Sequence, residues 1–196
     1  MKFRKSFLAG IVVSIVAYNY LLNHDLISKI VFSVALIIIL TMNLNLYTSK
    51  VAIICCSDSS VADKLKDVLI IFVGNALACI IFGYLFSFLG ETHALEIWEA
   101  KLQLSLGEVI IKSIMVGFLM QIAATCRHDL VTIGVVMIFI TTAGEHSIAN
   151  IAYMSVARAF SLRGFLHVFI CLIGNAIGGI TIYLLNREDK FKLLKS

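Results

Sequence analysis

Six long apolar segments run through the chain, and they restrict its fold more than any other feature of the sequence. A transmembrane helix needs about 20 predominantly apolar residues. The segments lie at roughly 6–22, 30–56, 68–89, 106–126, 130–157 and 164–185. Hydrophobic residues make up 60% of the 196-residue chain and charged residues only 14%, against roughly 25% charged residues in soluble domains. The sequence therefore predicts an all-α integral membrane protein of six transmembrane helices, not a soluble enzyme.

Segments two and five are interrupted by polar residues, whereas segments three and six are continuous. The interruptions consist of Thr41, Asn43, Asn45, Thr48, Ser49 and Lys50 in segment two, and of Thr141, Thr142, Glu145, His146, Ser147 and Asn150 in segment five. They fall at the same place in each half when the spans are counted three plus three. Residues 73–78 and 173–178 repeat this correspondence, because Val-Gly-Asn-Ala-Leu-Ala echoes Ile-Gly-Asn-Ala-Ile-Gly. Matched broken segments indicate inverted repeats, so we expect a single transmembrane domain over 1–196 with repeats at about 1–89 and 106–190.

The distribution of positive charge predicts the orientation of the chain in the cell (inner) membrane. Six spans put both termini on one side. That side holds most of the basic residues, namely Lys2, Arg4, Lys5, Lys64, Lys66, Arg127, Arg187, Lys190, Lys192 and Lys195. The opposite loops hold Lys29, Lys101, Arg158 and Arg163. Because cytoplasmic loops carry the excess of Lys and Arg, both termini are expected in the cytoplasm.

Glu145 and His146 stand side by side inside an otherwise apolar segment. A charge at the centre of a bilayer costs at least ~2.5–3.5 kcal/mol on insertion scales, and such residues usually mark a transport pathway or a proton relay. The half-helices that start after the two breaks would point their N-terminal N–H groups at the membrane centre, where they favour anions. His146 is therefore the candidate central group, with Glu145 and Asn150 beside it. The alternative is a structural cluster that satisfies the backbone of a broken helix.

Four apolar residues and one lysine are candidates for the rest of a pathway. Phe32 and Phe139 would form one apolar constriction, and Leu36 and Leu46 a second. Isolated Phe and Leu residues in a span are commonly lipid-facing or packing residues instead. Lys101 would attract anions towards an outer mouth, or it is an interfacial lysine whose stem lies along apolar surface. The Gly-Asn pairs at 74–75 and 174–175 either line a pore or let helices approach closely.

The remaining composition narrows the function further. None of the five cysteines has the Cys-x-x-Cys spacing of a metal or redox site, so we expect no metal and no cofactor. The net charge is only +4, and no nucleic-acid partner is expected. The chain has no proline, which excludes the Asn-Pro-Ala signature of aquaporins. A third hypothesis, that the protein is a membrane enzyme, is supported only by the single His-Glu pair.

Several strings along the chain resemble the formate/nitrite transporter family. They are Phe-Ser-Val-Ala-Leu at 32–36, Leu-Tyr-Thr-Ser at 46–49, Gly-Asn at 74–75, Gly-Glu-His-Ser-Ile-Ala-Asn at 144–150 and Gly-Asn-Ala-Ile-Gly-Gly at 174–179. The Glu-His-Ser-Ile-Ala-Asn string is the most specific of them, and the matches run in order through nearly the whole chain. The chain is similar to a short member of this family.

The resemblance implies an aquaporin-like protomer of six helices, with helices two and five broken, that assembles as a homopentamer with one pore in each protomer. The central histidine of the family then corresponds to His146, flanked by Glu145 and Asn150, and the threonine of the helix-two loop to Thr48. The aromatic constriction corresponds to Phe32 and Phe139, the inner leucines to Leu36 and Leu46, and the vestibule lysine to Lys101.

The chain departs from the family pattern in three places, and each departure bears on selectivity. Asn45 stands where the family usually has an acidic residue, just before the motif of the helix-two loop, and Tyr47 is the aromatic residue of that motif. A family asparagine in helix four aligns with Gly117, and Gln121, about one turn later, is a candidate to compensate. Gly144 stands where an aromatic residue is common, which would widen or loosen the break.

These features predict a channel or transporter for small monovalent weak-acid anions, such as formate, nitrite or hydrosulfide. The expected partners are the anion, protons and the lipid bilayer. The apolar constrictions would disfavour a bare charge, and a proton delivered directly or through His146 would let the substrate cross as the neutral acid. The alternative is a channel of the same architecture for a neutral solute such as water or ammonia.

Overall fold

The computed structural model of the chain describes residues 1–55 and 60–193, and their side chains up to residue 186. Cys56, at the predicted end of segment two, and the basic side chains of the C-terminal tail lie outside this description. The described residues contain no strand. Their helices are α1 (Lys2–Asn23), α2 (Leu26–Thr41), α3 (Tyr47–Lys50) with a following 3-10 helix (Val51–Cys55), α4 (Val61–Phe86), α5 (Ala94–Leu102), α6 (Leu106–Cys126), α7 (Asp129–Thr141), α8 (Ser147–Val156) and α9 (Leu162–Leu193).

Four of the described helices are long and apolar enough to cross a membrane. They are α1, α4, α6 and, over Leu162–Asn186, α9. Segments two and five consist of shorter pieces, since α2 has 16 residues, α7 has 13 and α8 has 10. The chain is therefore an all-helical, multi-pass membrane protein. That α2 with α3, and α7 with α8, each form one broken span of a six-span protein stays a prediction.

Helices α2 and α7 end in the same way. Asn43 and Ala143 adopt the left-handed conformation, with φ of 49° and 48°. The N–H of the next residue then reaches back to a carbonyl of the last turn, from Leu44 to Ile39 at 2.9 Å and from Gly144 to Phe139 at 2.8 Å. This bond is the usual closure of a helix by a left-handed residue.

The helices that follow the two interruptions are held by buried asparagines. The backbone N–H of Tyr47 donates to Asn75 Oδ1 at 2.8 Å, and that of Ser147 donates to Asn175 Oδ1 at 2.9 Å. Each asparagine amide also donates to the carbonyl just before its helix, that of Asn45 or Glu145, at 2.9 Å. Asn75 and Asn175 are fully buried, so the Gly-Asn pairs fix helix starts. The two interruptions share one hydrogen-bond scheme, while the inverted repeat itself stays a prediction.

Candidate functional site

His146 lies at the start of α8 and both of its ring nitrogens are engaged. The backbone N–H of Ala149 donates to Nδ1 at 3.2 Å, so the ring caps the helix. Nδ1 therefore carries no hydrogen, and the neutral imidazole carries its hydrogen on Nε2. Nε2 lies 3.0 Å from Thr48 Oγ1 and donates to it. His146 is 4% exposed and Thr48 is fully buried, so the pair brings the starts of α3 and α8 together in the interior.

Glu145 points away from His146 and into a buried cluster of donors. Its Oε1 lies 2.8 Å from Lys101 Nζ, and its Oε2 accepts from His167 Nε2 at 2.8 Å and from Asn150 Nδ2 at 2.6 Å. The carboxylate is fully buried, and Lys101 is only 8% exposed. Buried charges are tolerated when they are paired and hydrogen-bonded. Among the described contacts the Glu145 carboxylate bonds to Lys101, His167 and Asn150 and makes no hydrogen bond to the imidazole of His146.

Lys101 is not the interfacial lysine that the sequence left as an alternative. Its ammonium donates to the carbonyl of Gly144 at 3.2 Å as well as to Glu145. It also lies 5.8 Å from the centre of the Tyr153 ring. One end of the break after α7 is thus tied to α5, and much of the lysine charge is compensated.

His167 is a member of this cluster that the sequence analysis did not identify. Its ring packs edge-on against Trp98 at 5.6 Å between centroids, and both side chains are buried. His167, Cys171 and Asn175 follow one another at intervals of four residues, which puts all three on one face of a helix. This periodicity was the available signal, but only the fold shows that the face meets Glu145.

Two cavities in the described part of the chain share Phe139 among their lining residues. The larger one, of about 340 Å³, is here called the vestibule, and Tyr20, His24, Lys101, Lys112 and Tyr153 are among its lining residues. The smaller one, of about 20 Å³, is here called the chamber. Its lining includes Phe32, Leu36, Leu46, Phe139 and His146. Phe139 lines both cavities, whereas His146 lines only the chamber.

The aromatic residues proposed from the sequence lie next to each other and next to His146. The ring centroids of Phe32 and Phe139 are 5.8 Å apart, and Phe139 lies 5.6 Å from the ring of His146. Tyr20 continues the row, since its ring lies 6.1 Å from Phe32. The chamber is therefore bounded by aromatic rings towards the vestibule, and Leu36 and Leu46 also line it. That these residues act as constrictions of a pore stays a prediction.

The residues at the family departures do not line either cavity, with the exception of Gly144. The Asn45 side chain donates to the carbonyl of Lys2 at 3.3 Å, and the Tyr47 hydroxyl donates to the carbonyl of Leu172 at 3.1 Å. Gln121 donates to Thr125 at 3.2 Å. It has no hydrogen bond to His146, and its Oε1 has no partner among the described residues. A role for Gln121 as substitute for the helix-four asparagine stays a prediction.

Gly117 and Gly144 are glycines for reasons of space. A Cβ on Gly117 would lie 2.4 Å from the backbone oxygen of Asn175, so α6 and α9 pack closely there. A Cβ on Gly144 would lie 2.6 Å from Val116 Cγ2 and 3.0 Å from the carbonyl oxygen of Phe139. Neighbouring atoms thus occupy the space that a side chain at 144 would need. That Gly144 widens or loosens the break relative to the family stays a prediction.

Glu145, His167 and Cys171 are the residues that come nearest to a metal site in the described part of the chain. Their ligand atoms all lie within 4.8 Å of one another. However, the Lys101 ammonium is 2.8 Å from the Glu145 carboxylate, and a positive charge there repels a second cation. The three side chains are satisfied as an ion pair with hydrogen bonds, and we assign no metal to them.

Comparisons with known proteins agree with the fold and with the strings quoted above. No curated protein sequence matches the chain. Among solved structures, the chain is similar to an "FNT family ion channel" with a TM-score of 0.77, at 18% identity over 91% of this chain and 85% of that one. It is also similar to a "pentameric formate channel with formate bound", with a TM-score of 0.73 at 19% identity over 99% and 96%. The family model of the formate/nitrite transporters matches residues 2–186. The chain belongs to the formate/nitrite transporter family.

Proposed function

We propose that each protomer forms a pore for small monovalent weak-acid anions such as formate, nitrite or hydrosulfide, and that the anion crosses together with a proton. The observation that carries this proposal is the position of Phe139 between the vestibule and the chamber, with His146 as a polar group in the chamber. The pore would lie in the cell membrane within a homopentamer, with both termini in the cytoplasm. One of the similar structures is described as pentameric and as containing formate. This supports the proposed pentameric assembly and the proposed class of substrate.

The aromatic boundary acts as a barrier against bare charge. An anion that passes between Phe32 and Phe139 loses its hydration, and removing an ion from water costs several kcal/mol even after relaxation. A neutral acid loses much less. The chamber, at about 20 Å³, has room for about one water-sized molecule. A substrate therefore enters it singly and without a hydration shell, and this favours the protonated form of a small weak acid.

His146 enters this scheme as a neutral hydrogen-bonding group. Protonation of Nδ1 would remove the hydrogen bond from Ala149 and place a positive charge at the N-terminus of α8, where the helix dipole disfavours cations. The hydrogen on Nε2 instead holds Thr48 as an acceptor. Thr48 is fully buried and lines neither cavity, so it acts on the substrate indirectly, by fixing the ring of His146. In this account the proton joins the anion on the vestibule side, before the substrate passes Phe139.

The test is uptake into proteoliposomes with a panel of weak-acid anions. The variant His146→Asn keeps a side chain that caps helices well but removes the Nε2–H group that faces Thr48. His128→Asn is the matched control, because His128 is exposed and makes no cap bond at the start of α7. We expect His146→Asn to change the rate and selectivity of formate and nitrite uptake, and His128→Asn to leave both unchanged. Unchanged uptake in His146→Asn, or permeation of water and ammonia but of none of the weak acids, would contradict the proposal.

A further inference from the structure

Two histidines and a glutamate with no part in the proposed passage through the chamber lie together beside the vestibule. His24 follows the last residue of α1, and His93 precedes the first residue of α5. Their ring centroids are 5.7 Å apart. Glu96 stands in the first turn of α5, and its Oε2 lies 3.4 Å from Nδ1 of His93. Because His24 and Glu96 line the vestibule, the three side chains meet at its rim.

The backbone holds the two histidines next to each other. The N–H of His93 donates to the carbonyl of Leu21 at 2.8 Å, which ties the start of α5 to the last turn of α1. The N–H of His24 donates to the carbonyl of Tyr20 at 2.8 Å, and His24 adopts the left-handed conformation, with φ of 48°. Helix ends therefore fix the main chain of both histidines. The side chains of His93 and Glu96 are 51% and 82% exposed, so they are free to rotate towards a ligand.

The distances match those between ligands that share one zinc ion. Zn²⁺ binds imidazole nitrogen at about 2.0–2.1 Å and carboxylate oxygen at about 2.0–2.2 Å, in tetrahedral geometry. Two ligand atoms on such an ion are then about 3.3–3.5 Å apart, and the centroids of two imidazole rings are roughly 5–6 Å apart. The 3.4 Å between His93 and Glu96 and the 5.7 Å between the rings of His24 and His93 fall within these ranges.

The charges around the site permit a cation. Among the described residues, no lysine or arginine forms an ion pair with the Glu96 carboxylate, which distinguishes this site from the cluster around Glu145. Lys29 acts on the charges of both His24 and Asp25, so a carboxylate lies near this lysine. Burial, Lys29 and His93 lower the pKa of His24, and Glu96 acts to raise it. The imidazole is therefore neutral at neutral pH, as a metal ligand must be. The vestibule lining adds two lysines and two glutamates, namely Lys101, Lys112, Glu96 and Glu145.

We propose that His24, His93 and Glu96 form a binding site for Zn²⁺ at the rim of the vestibule. Imidazole and carboxylate are both zinc ligands. The ion takes these three ligands and keeps water in its fourth position, because the site is open to solvent. It links the end of α1 to the start of α5, on the side of the protein opposite the predicted position of the termini. The site does not depend on the proposed pore, since it binds the metal whether or not an anion passes.

The site is tested by titration calorimetry of the purified protein in nanodiscs with ZnCl₂, in a buffer free of chelators. We expect saturable binding that is weaker than in closed structural zinc sites, which have four protein ligands. His24→Asn, His93→Asn and Glu96→Gln should each weaken it at least about tenfold, because loss of even an outer-shell partner costs that much. Asparagine tolerates the left-handed conformation of residue 24 and caps helices well at residue 93, so these variants separate a lost ligand from a folding defect.

His128→Asn is the matched control. His128 precedes α7 as His93 precedes α5, and neither side chain makes a cap bond. The control should leave the affinity for Zn²⁺ within about twofold of the parent, as expected for a site with no shared contacts. Free Zn²⁺ at about 100 times Kd should also raise Tm of the parent by roughly 5–10 °C, and should raise Tm of His93→Asn by less than half as much.

Absence of saturable Zn²⁺ binding to the parent protein would overturn the inference. An equal loss of affinity in His93→Asn and His128→Asn would overturn it as well, because the metal would then bind elsewhere. Binding is measured without flux. Formate uptake without Zn²⁺ binding therefore contradicts only this site, and Zn²⁺ binding without any uptake contradicts only the proposed pore.

Discussion

The buried ion pair between Lys101 and Glu145 allows a prediction with a defined magnitude. The two charged groups lie 2.8 Å apart, and their side chains are 9% and 0% exposed. Lys101→Met leaves the Glu145 carboxylate buried without its cation. Removing one partner of a buried pair typically costs 3–5 kcal/mol. His167 and Asn150 still donate to the carboxylate, so we expect a cost of about 3 kcal/mol, near the lower end of that range.

The assay is thermal unfolding in detergent, followed by circular dichroism, of the parent, Lys101→Met, Glu145→Gln and the double variant. At about 2–4 °C per kcal/mol for a chain of this size, Lys101→Met should lower Tm by roughly 10 °C. The double variant should recover part of this loss, because it removes the unpaired charge, and the coupling should be about 1–3 kcal/mol. Lys29→Met is the control for loss of a lysine. If Tm of Lys101→Met stays within about 2 °C of the parent, or if the double variant is less stable than Lys101→Met, the reasoning about this cluster is wrong.

Three further predictions follow from the same contacts. Phe139→Ala should open the boundary between vestibule and chamber and raise the leak of bare anions, measured as nitrate current in planar bilayers; an unchanged current would contradict the barrier. Burial lowers the pKa of His24 below its ordinary value of about 6.5, so His24 becomes positively charged only at acidic pH. His24→Gln should therefore weaken the stimulation of formate uptake by acid on the vestibule side. An identical pH profile of the variant and the parent would count against this prediction. Gly117→Ala should destabilise the fold by about 1–3 kcal/mol through overpacking, whereas Gly134→Ala, where a Cβ meets nothing within 4 Å, should be neutral or stabilising. Equal melting temperatures of the two alanine variants would refute the packing argument.

The long helices were the part of the fold that the sequence could predict best. An uninterrupted apolar stretch near 20 residues has few alternatives in a membrane protein, and α1, α4, α6 and α9 follow such stretches. The ends of α2 and α7 at Thr41 and Thr141 fall where polar residues interrupt the apolar pattern. Asn43 was a readable signal for a left-handed residue, whereas Ala143 was not, because alanine seldom adopts that conformation.

The partners of the charged residues could not be read from the sequence. Lys101, Glu145 and His167 come from three different elements, and only the fold brings them within hydrogen-bond distance. The charge of Lys101 was therefore assigned to attracting anions, although much of it is used inside the protein. Lys112 received no role, because nothing in its local pattern shows that it faces a cavity. Gly144 was interpreted by comparison with larger residues of the family, without knowledge of the neighbouring Val116 side chain.

The central claim is that the substrate passes Phe139 together with a proton, and the most direct measurement is the proton movement that accompanies formate. Proteoliposomes containing a pH-sensitive dye are given an inward formate gradient at zero membrane potential, beside protein-free liposomes that report passive diffusion of formic acid. The account predicts protein-dependent acidification of the lumen with a proton for each formate taken up, no net current, and no comparable uptake of nitrate. Formate uptake that carries a current and leaves the lumen pH unchanged would contradict it.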